Sequence, residues 1–360
     1  MLSDAFEYKI EYMQILDENG NVDQSLFPKN LDDSKLVQMY KYMNFARALD
    51  AKTLSLQRQG RAVTYAPLVG EEATQIGSAM AMRADDIFVP NFRQHGVYLA
   101  RGLPLELYFI YWRGFEEGGA IPKNVNGMPV IVPVGSQVPH AVGIAYAQKY
   151  EKTGNAVIVY VGDGGTSEGD FYEAMNFAGV LKIPLVIIIE NNQWAISVPR
   201  SKQSAASTLA QKAVAAGIPG VQVDGNDVLA VYKAVSDAIA SSSTGPTLIE
   251  CVTYRMSMHT TADDPTKYRP EQDLEEWKKK DPIDRLRKYL VAKGLWDDSK
   301  EKAMADEQLA AINDAVKKAE EFKPDPASMF ENVYSYIPEV LAEEYNESKE
   351  NGFWQAASEE

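Results

Sequence analysis

The stretch from Ala156 to Asn192 constrains the fold more than any other. An apolar run, Ala156-Val-Ile-Val-Tyr-Val161, ends in Gly162-Asp163-Gly164-Gly165. A helical stretch from about Glu168 to Lys182 follows. A second apolar run, Leu185-Val-Ile-Ile-Ile189, then ends in Glu190-Asn191-Asn192. Two strands joined by one helix of this length are expected to lie parallel, with a right-handed crossover. Asp163 and Asn192, 29 residues apart, then stand at carboxyl ends of strands in one sheet, where open α/β sheets bind ligands. Ser167 and Asp170 have capping-box spacing and mark the helix start.

The same alternation runs through most of the chain. Apolar spacing predicts helices over Ser34–Gly60, Gly70–Met82, Pro104–Trp112, Val138–Tyr150, Thr208–Ala216 and Asp227–Ser241. Strands are expected at Asp85–Pro90, Val130–Val134, Val221–Asp224 and Thr247–Tyr254. The pattern is that of an α/β protein with a doubly wound, mostly parallel sheet. Residues 1–33 read as an arm with a turn at Asp17–Gly20 between two short strands. Residues 34–330 form the main domain, and 331–360 a helical tail. Charged helices are expected over Glu271–Lys293, Asp306–Phe322 and Ile337–Lys349. Along the first helix, Arg47, Asp50 and Arg58 fall on the polar side.

Charge and cysteine content exclude whole classes. The net charge of −15 disfavours nucleic acid and anionic membrane as partners. No apolar run approaches 18 residues, the length that would suggest a membrane span. Cys251 is the sole cysteine, so neither an intrachain disulfide nor a cysteine zinc site is available. It reads as a buried small hydrophobe in a cytoplasmic protein. The acidic start, MLSDAFEYKIEY, lacks the features of a presequence.

The chemistry follows from residue types. A carboxylate at Asp163 and an amide oxygen at Asn192 suit Mg²⁺, which takes few protein oxygens and completes its octahedron with phosphate and water. Glycines after the first strand let a diphosphate approach backbone amides. Arg93, at the end of the Asp85–Pro90 strand, offers a bidentate fork for phosphate. His259 lies in a loop after the last strand, where an imidazole can neutralise phosphate or donate a proton. Glu168, Asp170 and Glu173 share one helical turn; in a buried site they could raise one another's pKa and shuttle protons.

Gly162-Asp163-Gly164 with Asn191-Asn192 resembles the diphosphate-binding motif of thiamin-diphosphate enzymes. The wider text, GDGGTSEGDFYEAMNFAG with ENNQWAIS and LAQKAVAAGIPGVQVDG, resembles the α subunit of the 2-oxo acid dehydrogenase E1 family, nearest its pyruvate-using Gram-positive branch. The resemblance covers almost the whole chain. It implies a thiamin-diphosphate-binding fold and oxidative decarboxylation of a 2-oxo acid. The acyl group then passes to the lipoyl arm of an E2 partner. It further implies thiamin diphosphate and Mg²⁺ as cofactors, with Asp163, Asn192 and the Trp194 carbonyl on the metal. Phe92, Arg93, Gly162, Gly164, Gly165, Ile196 and His259 are implied along the cofactor, and Val134-Gly135 beneath its aminopyrimidine. Tyr65 is a catalytic candidate in a Tyr-Ala-Pro region that lines the substrate pocket, against the simpler reading of a core tyrosine. Ser136 and Gln137 match a potassium site of some relatives, and Thr260 a phosphorylated position of mitochondrial ones. Gram-positive relatives carry a histidine close to Glu117, which this chain lacks. His95 is the nearest candidate to replace it, and His140 reads as a packed or capping residue.

One diphosphate-binding domain fills the chain, leaving no room for a pyrimidine domain of similar size. The resemblance therefore implies a separate β subunit and an α₂β₂ assembly. Branched-chain 2-oxo acids or acetoin remain open as substrates, because one or two methylenes change binding by only about 1–3 kcal/mol. An NAD-dependent dehydrogenase is disfavoured, since Gly162-Asp-Gly-Gly-Thr-Ser167 lacks the third glycine of the dinucleotide fingerprint. A non-catalytic scaffold is disfavoured by the intact Asp163, Asn192, Arg93 and His259.

Overall fold

The computed structural model describes residues 8–351. The first seven and last nine residues, parts of the expected arm and tail, lie outside the described residues. The strands are β1 Glu11–Met13, β2 Ile87–Val89, β3 Val157–Gly162, β4 Leu185–Asn191, β5 Trp194–Ala195, β6 Val198–Pro199, β7 Gly220–Asp224 and β8 Thr247–Val252. Six of them form one sheet in the order β1-β7-β8-β4-β3-β2, every pair parallel. β5 and β6 form a small antiparallel hairpin.

The helices are α1 Asp33–Arg58, α2 Glu72–Ala81, α3 His95–Ala100, α4 Leu105–Trp112, α5 Gln137–Glu151, α6 Gly169–Leu181, α7 Lys212–Ala215 and α8 Val228–Ser241. They are followed by α9 Glu271–Lys278, α10 Pro282–Ala292, α11 Asp298–Glu321, α12 Ser328–Glu331 and α13 Glu339–Glu350.

Side chains of a strand alternate between the two faces of its sheet, and here both faces are covered. Ile158, Tyr160, Val186, Ile188 and Ile249 pack with α1, α2 and α8. Val157, Val159, Val161, Ile187 and Leu248 pack with α5 and α6. That is why β3 and β4 read as unbroken apolar runs. Each aliphatic side chain so buried contributes roughly 1.5–3 kcal/mol.

Several local expectations change. Val130–Val134 forms no strand: Pro129 and Pro133 have no N–H to give a ladder. Only the residues just before it touch the sheet, where Met128 N–H donates to the Phe88 carbonyl at 3.0 Å. The capping box at Ser167 does not form. A 3₁₀ turn over Gly164–Ser167 intervenes, and α6 begins after Glu168, which makes no side-chain cap. The stretch 271–293 is two helices, broken where Asp281 caps Pro282 at the first helical position. Thr208–Ala216 is a 3₁₀ turn followed by one turn of α-helix. Helix α11 begins at Asp298, ahead of the expected Asp306. In the arm, the Asp17–Gly20 turn forms, but β1 joins the sheet edge beside β7 instead of making a hairpin. The turn's flanks meet only in a single bridge, Leu16 to Val22.

Asp50 departs furthest from expectation. It is 2% exposed, facing the core instead of solvent.

Candidate active site at the carboxyl edge of the sheet

After β1 at one edge, the chain crosses to β2 at the other, steps inward through β3 and β4, passes over one position to β7 and returns to β8. The winding therefore changes direction between β4 and β8. Four strand ends converge at that switch point, where a crevice opens outside the sheet. Asp163 follows β3, Asn192 follows β4, Arg93 follows β2, and Arg255 and His259 follow β8.

The basic side is built from two buried guanidiniums. Arg93 is 4% exposed and donates to the Pro67 carbonyl and, at 3.0 Å, to the His259 carbonyl. Arg255 is fully buried and donates to the carbonyls of Trp194 (3.2 Å) and Ile196 (2.7 Å) and to the Tyr268 hydroxyl (2.7 Å). His259 Nδ1 lies 3.3 Å from Arg93 and 3.4 Å from Arg255. Burial, reinforced by the two arginines, pushes its pKa down to about 4. The ring is therefore neutral at pH 7, with Nδ1 turned to the donors and its proton on Nε2. Phosphate charge would be met by the arginines, and His259 would offer a hydrogen bond.

The acidic side lies opposite. Asp163 is 3% exposed, and burial pushes its pKa up to about 7; Gln203 Nε2 donates to it at 3.1 Å. Asn192 donates through Nδ2 to Glu71 at 2.7 Å, and its oxygen accepts the Trp194 N–H at 3.2 Å. Glu71 is itself buried, 3.7 Å from the Arg93 guanidinium, and its second oxygen has no partner. Holding the amide by its nitrogen leaves the Asn192 oxygen as the atom available to a ligand.

Among the described residues, no three His, Cys, Asp or Glu cluster as a metal site. A cation at Asp163 must therefore draw on the Asn192 amide, a backbone carbonyl and its ligand's own oxygens. Those are hard donors, and they fit Mg²⁺.

The turns supply the remaining surface. A Cβ at Gly162 would meet open space, whereas at Gly164 it would strike Ala195 at 2.6 Å and at Gly165 Val161 at 2.7 Å. The last two glycines are thus required by their protein neighbours. Gly135 adopts φ +88°, and Val134 lies against Gly165, so the 134–135 backbone does reach the Gly164-Gly165 turn. Ile196, at the tip of the β5–β6 hairpin, holds φ +53°. A β-branched residue is strained there, by about 1–3 kcal/mol. Its carbonyl is thereby presented to Arg255 while its side chain stays 55% exposed. Phe92 stands edge-on to His259 at 5.9 Å and lines a cleft of 430 Å³ with Ala66, Trp112, Val132 and Thr260.

Other expected residues are placed elsewhere. Tyr65 does not reach that cleft: it is sealed in the core, its hydroxyl bonded to Asp50 at 2.6 Å. His95 stacks on Tyr65, bonds the Ala66 carbonyl at 2.9 Å and is neutral, its pKa pushed down to about 3 by burial. It shares a 20 Å³ void with Gly118 and Gly119 but is closed off from the cleft, so it does not replace the absent loop histidine. His140 bonds the Ser136 carbonyl on the exposed side of α5. Glu168, Asp170 and Glu173 are exposed, not gathered in a buried site. Gln137 is buried with its side-chain oxygen unpartnered, and Ser136 bonds the Pro133 carbonyl.

Arg255 and Glu71 were not legible as site residues. Arg255 closely follows an apolar strand, the one signal that could have marked it.

The dehydrogenase E1 component family model matches residues 40–328. A pyruvate dehydrogenase E1 component subunit alpha of Staphylococcus aureus is 46% identical over 346 residues, covering 95% of this chain and 94% of that protein. The protein of the same name from Staphylococcus epidermidis is 44% identical over an equal span. With a model matched across most of its length and relatives aligned nearly end to end, the chain belongs to the dehydrogenase E1 component family.

Proposed function

We propose that this chain is the α subunit of a pyruvate dehydrogenase E1 component, acting in the bacterial cytoplasm on thiamin diphosphate and Mg²⁺. The observation that carries the reading is Arg255, a fully buried cation bonded only to neutral acceptors, facing Asp163 and Asn192 across the strand ends. An anionic ligand bridging to a hard cation fits between them.

Asp163, the Asn192 oxygen and the Trp194 carbonyl would hold the metal. Arg93 and the Gly164 and Gly165 amides would hold the diphosphate, with Arg255 adding charge from below. When bound, the cofactor supplies the electron sink for decarboxylation. The protein's own groups do the rest. Glu71 fixes the Asn192 amide, and burial, reinforced by the two arginines, keeps His259 neutral so that Nε2 can donate to the reacting end. Phe92, Ala66 and Trp112 keep the cleft apolar around a small 2-oxo acid. Val132, Val134, Ile196 and Val198 are 42–59% exposed around the same edge. Such an apolar rim fits coverage by a β subunit, which would complete the site, with lipoylated E2 as the acceptor.

The test is 2-oxo acid-dependent reduction of an artificial electron acceptor. Activity is expected only when this chain is combined with a β partner, thiamin diphosphate and Mg²⁺, and with pyruvate ahead of branched 2-oxo acids. Asp163→Asn should weaken magnesium-dependent cofactor binding by about 100-fold or more, beyond the losses typical of outer-shell changes. Full activity from this chain alone would overturn the reading. A branched-chain preference would keep the chemistry and change the substrate.

A further inference from the structure

The segment Tyr65–Gly70 touches two of the segments that carry the site, the one after β2 and the one after β8. The Tyr65 carbonyl accepts the Thr261 N–H at 2.9 Å, and the Tyr65 N–H donates to the Thr261 hydroxyl at 3.1 Å. The Pro67 carbonyl accepts from Arg93, and the Val69 carbonyl accepts the Met256 N–H at 3.0 Å. The Gly70 carbonyl accepts the Thr253 hydroxyl at 2.6 Å. The segment is a template that sets Arg93 on one side and the loop after β8 on the other.

One atom holds this template. Asp50 Oδ1, on α1, accepts the Tyr65 hydroxyl at 2.6 Å and the Leu68 N–H at 2.9 Å. Tyr108 donates to the same tyrosine oxygen at 3.0 Å and approaches Thr53 at 3.3 Å, closing a buried network. Both anchored groups are neutral donors, so a neutral acceptor of the same shape would serve. The carboxylate touches no group that faces the cleft.

We infer that Asp50 is a positioning residue for the site, fixing the Tyr65–Gly70 segment on which Arg93 and the His259 loop hang. This rests on the function proposed above. A supporting group of this kind alters ligand affinity by about 10- to 100-fold when lost.

The experiment uses the assembled α and β chains and titrates thiamin diphosphate with Mg²⁺, followed by tryptophan fluorescence, alongside kcat and KM for pyruvate. Asp50→Leu is expected to weaken cofactor binding about 10- to 100-fold, and Asp50→Asn to restore it to within about threefold. A purely structural role would lower Tm in Asp50→Leu yet leave the cofactor constant of the folded protein unchanged, and would overturn the inference. If Asp50→Leu fails to fold, Tyr65→Phe decides, since it removes one of the two anchored donors. A loss of about tenfold supports the inference, and unchanged affinity overturns it. Absence of magnesium-dependent binding in the unmodified protein would instead sink the functional reading itself.

Discussion

Arg285 and Arg255 are both sealed from solvent, but only one of them meets a carboxylate. Arg285, on α10, pairs with Asp224 at 2.8 Å and donates to the carbonyls of Leu16 (3.0 Å) and Lys280 (3.2 Å). It ties a helix, the end of β7 and the N-terminal turn into one unit. Arg255 bonds only carbonyls and a hydroxyl, with the His259 imidazole beside it; Glu71 and Asp263 act on it only from a distance, and burial together with Arg93 lowers its pKa. A charge buried with its counter-ion is architecture. A charge buried without one is a place prepared for an anion, because desolvation is otherwise uncompensated.

That contrast is open to direct attack. The largest effect is expected from Arg285→Met, which leaves buried Asp224 without its counter-ion and should lower unfolding free energy by about 3–5 kcal/mol. Denaturant titration measures it. Cofactor affinity per folded molecule should hold, and a parallel fall would dissolve the distinction.

Arg255→Met should do the reverse. Unfolding stability stays level or rises, since an unpaired buried charge is removed, while diphosphate affinity falls about 100-fold, or about 2.7 kcal/mol. A collapse in Tm like that of Arg285→Met would show Arg255 to be structural.

A smaller effect sharpens the picture beside Arg93. His95 is buried neutral, with a folded pKa of about 3 against 6.5 for the free side chain. Below pH 6.5 the unfolded chain takes up a proton that the folded chain refuses. Stability is thus complete above 6.5 and declines as pH falls toward 3, by about 2 kcal/mol at pH 5. His95→Gln should remove that part of the acid loss, read from unfolding curves at pH 7 and pH 5. His259, depressed to about 4, leaves a residual slope of the same sign. An unaltered slope would mean His95 is hydrated and charged in solution.

Much of the fold and half of the site could be read from residues alone, and the reason is physical. β3 and β4 are buried on both faces, so their apolar runs announce themselves and fix Asp163 and Asn192 at the strand ends. Arg93 was visible for the same reason, beside β2. What failed was whatever depended on donors or on distant neighbours. Val130–Val134 is largely apolar like β3, but Pro129 before it and Pro133 within it remove the ladder. Asp50 sits at helical spacing that predicts solvent, and only Tyr65, fifteen positions on, gives its carboxylate a reason to be inside. Arg255 looks like any residue after a strand until the hairpin at Ile196 folds over it.

The strand order has a consequence for how the molecule comes into being. β8 lies between β7 and β4, and β1 waits beside β7 for a partner more than two hundred residues downstream. A ribosome that has released everything up to residue 246 has made seven of the eight strands found among the described residues, yet the two halves of the sheet have no strand to join them. Arg93 and Asp163 are made early, but Arg255 and His259 are among the last pieces delivered. Closure through such distant pairings is slow. The capacity to hold an anion should therefore arise abruptly and late, after the final strand slots into the gap.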